Sequence, residues 1–201
     1  MKLSRLTLGI TTAALICGAS LSVSAASLSE LTKSCDECHG KNGVTKEAEV
    51  PSIAGASAAY IKDTMEAFKS GKRKGVEFEH DGKKSDMNEV SKKLSKADIE
   101  ALAEHYASKE YVAFNNNTDA KLVKKGKKIW KRSCKKCHGE NGMDPEDDAG
   151  IIGGQPLKYI QESMEHFVAK TRPMPKKMRK KFKKLKEKDR LAVAHFFASQ
   201  K

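Results

Sequence analysis

The five-residue word Cys35-Asp36-Glu37-Cys38-His39 recurs as Cys134-Lys135-Lys136-Cys137-His138. C-x-x-C-H is the attachment signature of c-type haem. Two thiols three positions apart can each add across one vinyl group of a porphyrin. The histidine that follows is then held beneath the iron as its proximal ligand. The word predicts two covalently bound haem c groups, one on Cys35 and Cys38 with His39, the other on Cys134 and Cys137 with His138. A zinc module usually sets its second cysteine pair about 15–20 residues on, whereas Cys38 and Cys134 are far apart and each pair carries its own histidine. Two structural disulfides would leave that repeated histidine unexplained.

The amino terminus reads as a secretory signal peptide, residues 1–26. Lys2 and Arg5 make a positive start, Leu6 to Ala19 is apolar, and small residues at 23–26 offer a cleavage site. Cys17 lies inside it. Ile16 precedes that cysteine where a lipoprotein has a small residue, which argues against lipidation. An exported chain with no other apolar run long enough to span a bilayer is expected in the periplasm.

The chain is an internal duplication. A shift of 99 superposes the two haem words, Gly40 on Gly139, Gly55 on Gly154, Tyr60-Ile61 on Tyr159-Ile160, Met65 on Met164 and Phe68 on Phe167. Beyond that the shift is 91, which sets Met87 on Met178, Leu94 on Leu185 and Asp98 on Asp189. The eight-residue difference lies between Phe68 and Met87. Two domains are therefore expected, 27–113 and 114–201, with the asparagine run 115–117 as linker. Each is under ~100 residues, small for a self-sufficient core, and a buried haem would supply apolar mass.

The fold class predicted is all-α. Leu122, Gly126, Ile129 and Trp130 fall on one face of a helix that runs into the second haem word. Ile61, Met65 and Phe68 repeat that spacing, as do Ile160, Met164 and Phe167. Ser95 with Asp98 reads as a capping box opening a last helix whose buried face is Ile99, Leu102 and Tyr106. Lys186 stands at the equivalent of Ser95. No alternating strand pattern stands out.

The second axial ligand decides what such a haem does, because an iron with two protein ligands moves electrons and an open one binds small molecules. Met87 and Met178 lie in corresponding segments expected to be loops, among polar and charged neighbours. Thioether sulfur favours reduced iron. Met174, between Pro173 and Pro175, competes with Met178, and His80 competes with Met87. Met65 and Met164 fit a core stripe. His105, His166 and His195 fall on predicted helices as solvated or packed residues. A dihaem peroxidase would need one open iron, and two methionines in equivalent places argue against it. No catalytic residue set stands out.

Over nearly its whole mature length the chain resembles the dihaem cytochrome c4 family. The residues that carry the likeness are the haem words with Gly40 and Gly139, Pro51 to Gly55, and Phe68-Lys69-Ser70-Gly71-Lys72-Arg73. Gly153-Gly154-Gln155 with Tyr159, Met87, and the segment from Leu94 to Ser108 complete it. The resemblance implies two class I cytochrome c folds packed face to face, His39 paired with Met87, His138 paired with Met178, and electron transfer between redox partners. The chain departs at Ala56, where the first half usually has glutamine, and in lacking a proline before Ile151. A second likeness, in Arg172 to Met178, Glu146-Asp147-Asp148, Pro51 to Ala54 and Met65 to Gly71, is to the cytochrome subunit of flavocytochrome c sulfide dehydrogenases. That family implies a flavoprotein partner as electron donor.

Charge is unevenly divided. The chain is +13 overall; residues 27–113 hold 14 basic and 16 acidic side chains, and residues 114–201 hold 23 and 10. Lys170 to Arg190 alone carries twelve basic residues. For an exported haem protein nucleic acid is excluded as partner. The basic second domain fits an acidic electron acceptor, or an anionic membrane surface, met through long-range attraction. Acid acetone should leave the pigment on the polypeptide, as read from the visible spectrum of the precipitate. Replacing the cysteines of both words by alanine should release it.

Overall fold

The computed structural model describes residues 27–145 and 149–201. The signal peptide with Cys17, and the acidic triplet 146–148, lie outside the described residues. In the first half Ser27 opens α1 (Leu28–His39), its hydroxyl accepting from Glu30 N–H while the Glu30 carboxylate accepts from Ser27 N–H. Helix α2 (Ala58–Lys69) follows, then α3 (Met87–Lys93) and α4 (Lys96–Ala107). The second half repeats the order as α5 (Ala120–Ser133), α6 (Leu157–Val168), α7 (Lys176–Phe182) and α8 (Glu187–Ala198). The expected capping box of α4 is present: Ser95 N–H donates to the Asp98 carboxylate at 2.8 Å and Asp98 N–H to the Ser95 hydroxyl at 3.1 Å. At α8 only the carboxylate half remains, Lys186 N–H to Asp189 at 3.3 Å, because a lysine side chain has no acceptor.

Each half packs its last helix against the others. Helix α4 lies on α1 and α2, α2 also on α3, and α8 on α5 and α6. Ile61, Leu102, Ala103 and Tyr106 form the first core; Ile129, Trp130, Ile160, Val193, Phe196 and Phe197 form the larger second one. Helices α5 and α8 cross at Gly126. A Cβ there would stand 2.0 Å from the Ala192 carbonyl oxygen and 2.6 Å from Phe196 Cβ, so hydrogen is the only side chain the crossing admits.

Two sequence expectations are corrected. The eight-residue insertion, where no strand pattern stands out, contains a hairpin, β1 (Phe78–His80) paired antiparallel with β2 (Lys83–Ser85). Its turn is Asp81-Gly82, both at positive φ (48° and 74°), the geometry that Asp-Gly favours in two-residue hairpins. The strands are too short and too charged for alternation to reveal them; the exposed Lys84–Glu77 pair at 2.9 Å accompanies the backbone pairing. The methionine segments are not loops either. Met87 is the first residue of α3, where Asp86 caps the amides of Asn88 and Glu89 at 2.6 and 2.9 Å. Met178 is the third residue of α7, which starts after Pro175, a residue whose fixed φ suits a helix entrance.

Gly126→Val should separate α5 from α8 and cost about 1–3 kcal/mol or more by overpacking, read as a lowered denaturation midpoint of the holoprotein.

Candidate haem sites

In the first half the haem word is the last turn of α1. Tyr106 of α4 holds that turn, its hydroxyl donating to the Asp36 carboxylate at 2.8 Å. Asp36 also accepts from Asn42 N–H at 2.9 Å, in the turn just beyond. Cys35 packs half-buried against the core, and burial pushes its thiol up to about 11. Cys38 is raised by the same cause. His39 is buried, and burial lowers its pKa although the Pro51 carbonyl favours the protonated ring. A carbonyl only accepts, so Nδ1–H of His39 donates to Pro51 O at 2.8 Å. That bond fixes the tautomer and leaves Nε2 bare, as a metal-ligating imidazole requires.

The second word is held differently. Lys135 replaces Asp36 and Phe197 replaces Tyr106, so the tyrosine–carboxylate latch is lost. Helix α5 stops at Ser133, and Cys134 to His138 form turns. Trp130 Nε1–H donates to the His138 carbonyl at 2.8 Å, and the His138 ring meets Phe197 edge-on at 6.1 Å. Burial pushes the Cys134 thiol to about 11 despite the attraction of Lys181; Cys137 is exposed. After each word comes the same tight turn, with Asn42 and Asn141 at φ near 60°. The carbonyls of Gly43 and Gly142 accept from Ile53 N–H and Ile152 N–H, both at 2.8 Å.

The apolar surroundings repeat residue for residue. Cys35, Ile53, Met65 and Leu94 stand half-buried against the first core; Cys134, Ile152, Met164 and Leu185 stand half-buried against the second. Met87, Met174 and Met178 are half-buried as well. Helices α1 and α3 make no extensive contact, and they connect through α4 and α2. The competing His80 and the three helical histidines have other surroundings. His80 lies on the hairpin, 3.6 Å from Asp81. His105 meets Tyr106 edge-on, His166 Nδ1 lies 2.7 Å from the Thr171 hydroxyl, and His195 Nδ1 accepts from Asp119 N–H at 3.1 Å.

The cytochrome c family model matches residues 27–108 and again 123–201. The chain belongs to the cytochrome c family. Two copies of the domain, each with a C-x-x-C-H site, make it a dihaem cytochrome of the c4 type carrying two covalently bound haem c groups. Cytochrome c4 of Stutzerimonas stutzeri is 28% identical over 144 residues, 66% of this chain and 67% of the relative. The structure of Acidithiobacillus ferrooxidans cytochrome c4 superposes with a TM-score of 0.69 at 25% identity, covering 83% of this chain and 99% of that one. Thiosulfate dehydrogenase from Marichromatium purpuratum shares the fold, with a TM-score of 0.67 at 22% identity. It covers 83% of this chain, which spans only 36% of that protein.

The seam between the two cytochrome halves also fits haem. Arg73 and Arg172 are equivalent residues, each stacked on its own phenylalanine, 4.4 Å from the Phe68 centroid and 4.8 Å from the Phe167 centroid. Arg73 donates to the Tyr159 hydroxyl at 3.4 Å, and Arg172 lies close enough to Tyr159 and Tyr60 to act on both phenols. Burial by itself would raise the Tyr159 phenol, but the two guanidiniums overcome it and pull the phenol below its usual range. Among the described residues neither arginine has a carboxylate within ion-pair distance. Two like charges converging on one phenol call for anions, and haem carries carboxylates.

Sequence reasoning assigned no role to these four residues, nor to the clamp beside them. Gln155 Oε1 accepts from Ser52 N–H at 2.9 Å and its Nε2 donates to Ser52 O at 2.9 Å, both buried. Its counterpart is Ala56, buried in the first core, so this seam is clamped from one side only. The missing proline is explained too. Gly150 stands at Pro51's equivalent with φ 72° and a Cβ position 2.6 Å from the Tyr60 ring, a conformation and a space that proline cannot take.

Gln155→Ala strands two buried backbone groups of Ser52. It should cost about 1–3 kcal/mol, and calorimetry should show one unfolding transition for the parent protein and two for the variant as the halves uncouple.

Proposed function

We propose that this protein is an exported, periplasmic electron carrier with domains 27–113 and 114–201, moving electrons between protein partners through two His/Met-ligated haems. Cys35 and Cys38 hold the first haem, with His39 and Met87 as its iron ligands. Cys134 and Cys137 hold the second, with His138 and Met178. One observation carries the reading: each half sets a half-buried methionine in the first turn of an equivalent short helix, α3 or α7. Neither half then leaves an open iron, which favours electron transfer over peroxide chemistry. When bound, each haem supplies a one-electron couple. The polypeptide orients the imidazole, as Pro51 does for His39, and excludes water with Ile53, Met65, Leu94 and their counterparts. Met174 precedes α7, whereas Met178 lies in the first turn of α7 as Met87 does in α3, which supports Met178 as the ligand.

The acceptor is read as an acidic protein docking on the second domain. Lys181 lies close enough to Cys134 to act on its thiol, so the basic face of α7 borders the second attachment site. An anionic membrane surface would be met through the same face. A flavoprotein subunit as donor is the second reading; it rests on the likeness of Arg172 to Met178, and Arg172 lies at the seam rather than on the docking face.

Met87→Ala and Met178→Ala should each remove about half of the long-wavelength charge-transfer band of thioether-ligated ferric haem, while Met174→Ala should leave it whole. A full band in the Met178→Ala protein defeats the assignment. Oxidation by an acidic acceptor should slow steeply with added salt, because exposed charges are screened beyond about 8 Å at physiological ionic strength. Co-purification with a flavoprotein, and haem reduction by sulfide only in its presence, would move the reading to the sulfide-oxidising complex.

A further inference from the structure

The segments that carry the ligand methionines end at two equivalent carbonyls, and each of these is held by a cation from a different helix. In the first half Leu94 closes α3, and its carbonyl accepts from Lys69 Nζ, the last residue of α2. The residue equivalent to Lys69 in the second half is Val168, 46% exposed and unable to donate. The Leu185 carbonyl is nevertheless held, by Arg190 Nη1 of α8 at 3.2 Å. The residue equivalent to Arg190 in the first half is Ile99, only 2% exposed. The donor has therefore moved from one helix to another between the halves while its target stayed the same.

Packing does not explain Arg190. Its Nε is buried without an acceptor, an arrangement that costs stability, and an isoleucine fills the same place in the first half. The two leucines are themselves part of the half-buried wall, packed on the cores beside Met65 and Met164. Each carbonyl lies where the methionine helix joins the last helix, through Leu94-Ser95 in one half and 183–186 in the other. A charge-assisted bond there resists lifting of the whole helix, because such bonds are the stronger class.

We propose that Lys69 and Arg190 are positioning residues for the methionine ligands, each clamping the chain just beyond the helix that presents the sulfur. This rests on Met87 and Met178 being ligands. The clamps act on their own halves only. Their exchange is a compensated swap: lysine on α2 with isoleucine on α4, or valine on α6 with arginine on α8.

The test is the rate at which imidazole binds the ferric holoprotein, since entry requires the sulfur to leave. The two kinetic phases are assigned by which one disappears in Met87→Ala and which in Met178→Ala. Arg190→Ile should speed the second-haem phase about tenfold, the size of one lost charge-assisted bond. It should leave the first-haem phase alone and not lower the denaturation midpoint. Lys69→Met should do the same for the first haem only. Adding Val168→Lys to Arg190→Ile should restore the original second-haem rate by rebuilding the arrangement of the first half. If the methionine variants keep both phases, the ligand reading falls and the clamps with it. If they lose their phases but Arg190→Ile and Lys69→Met alter neither rate, or speed both alike with a lowered midpoint, the clamps alone are overturned.

Discussion

Contact between a haem and an apolar wall that the polypeptide leaves half-open is the interaction on which the rest of this structure depends. Among the described residues, the polypeptide buries the apolar wall of each half only in part. Ile53, Met65 and Leu94, and again Ile152, Met164 and Leu185, stand at the edge of a core with one side uncovered. Domains of this size bury a modest share of their surface, so a covalently held porphyrin completes each core instead of merely occupying it. Attachment through two thiols makes that completion permanent, and it explains how short helices joined by long connections can serve as a rigid frame.

The halves are copies, yet they reach the same arrangement by different bonds. One haem word is a helical turn latched by Tyr106 to Asp36, while the other follows its helix and is oriented by Trp130. One seam position is a glutamine that bonds across, while the other is an alanine that packs inward. After duplication each half kept the need and changed the means. The two haem environments are accordingly unequal, with a near-neutral first half and a strongly basic second half. On the reading proposed above, the basic face beside the second centre gives an acidic partner its approach.

Much of this was legible in the chain because covalent chemistry and helix periodicity are local. The haem words, the buried faces of α2, α4 and α5 and the Ser95–Asp98 box depend on residues within a few positions of one another, and the duplication shows when the chain is laid on itself. The hairpin escaped because three-residue charged strands show no alternation, although Asp81-Gly82 was a usable turn signal. The short helices α3 and α7 escaped because each has only two apolar residues in seven, Met87 and Val90 or Met178 and Phe182, too few to make a stripe; Asp86 and Pro175 marked where they begin.

The sequence by itself determined that two haems are attached, where, and on what kind of fold, since a thioether pair and its histidine must lie within five residues of one chain. Tertiary structure alone decided how the halves meet and what holds the methionine helices. Gln155 reaches Ser52 across 103 positions and Arg73 reaches Tyr159 across 86. Lys69 and Arg190 hold equivalent carbonyls from helices that do not correspond. Contacts of that kind follow from chain folding in space, and no spacing along the chain encodes them.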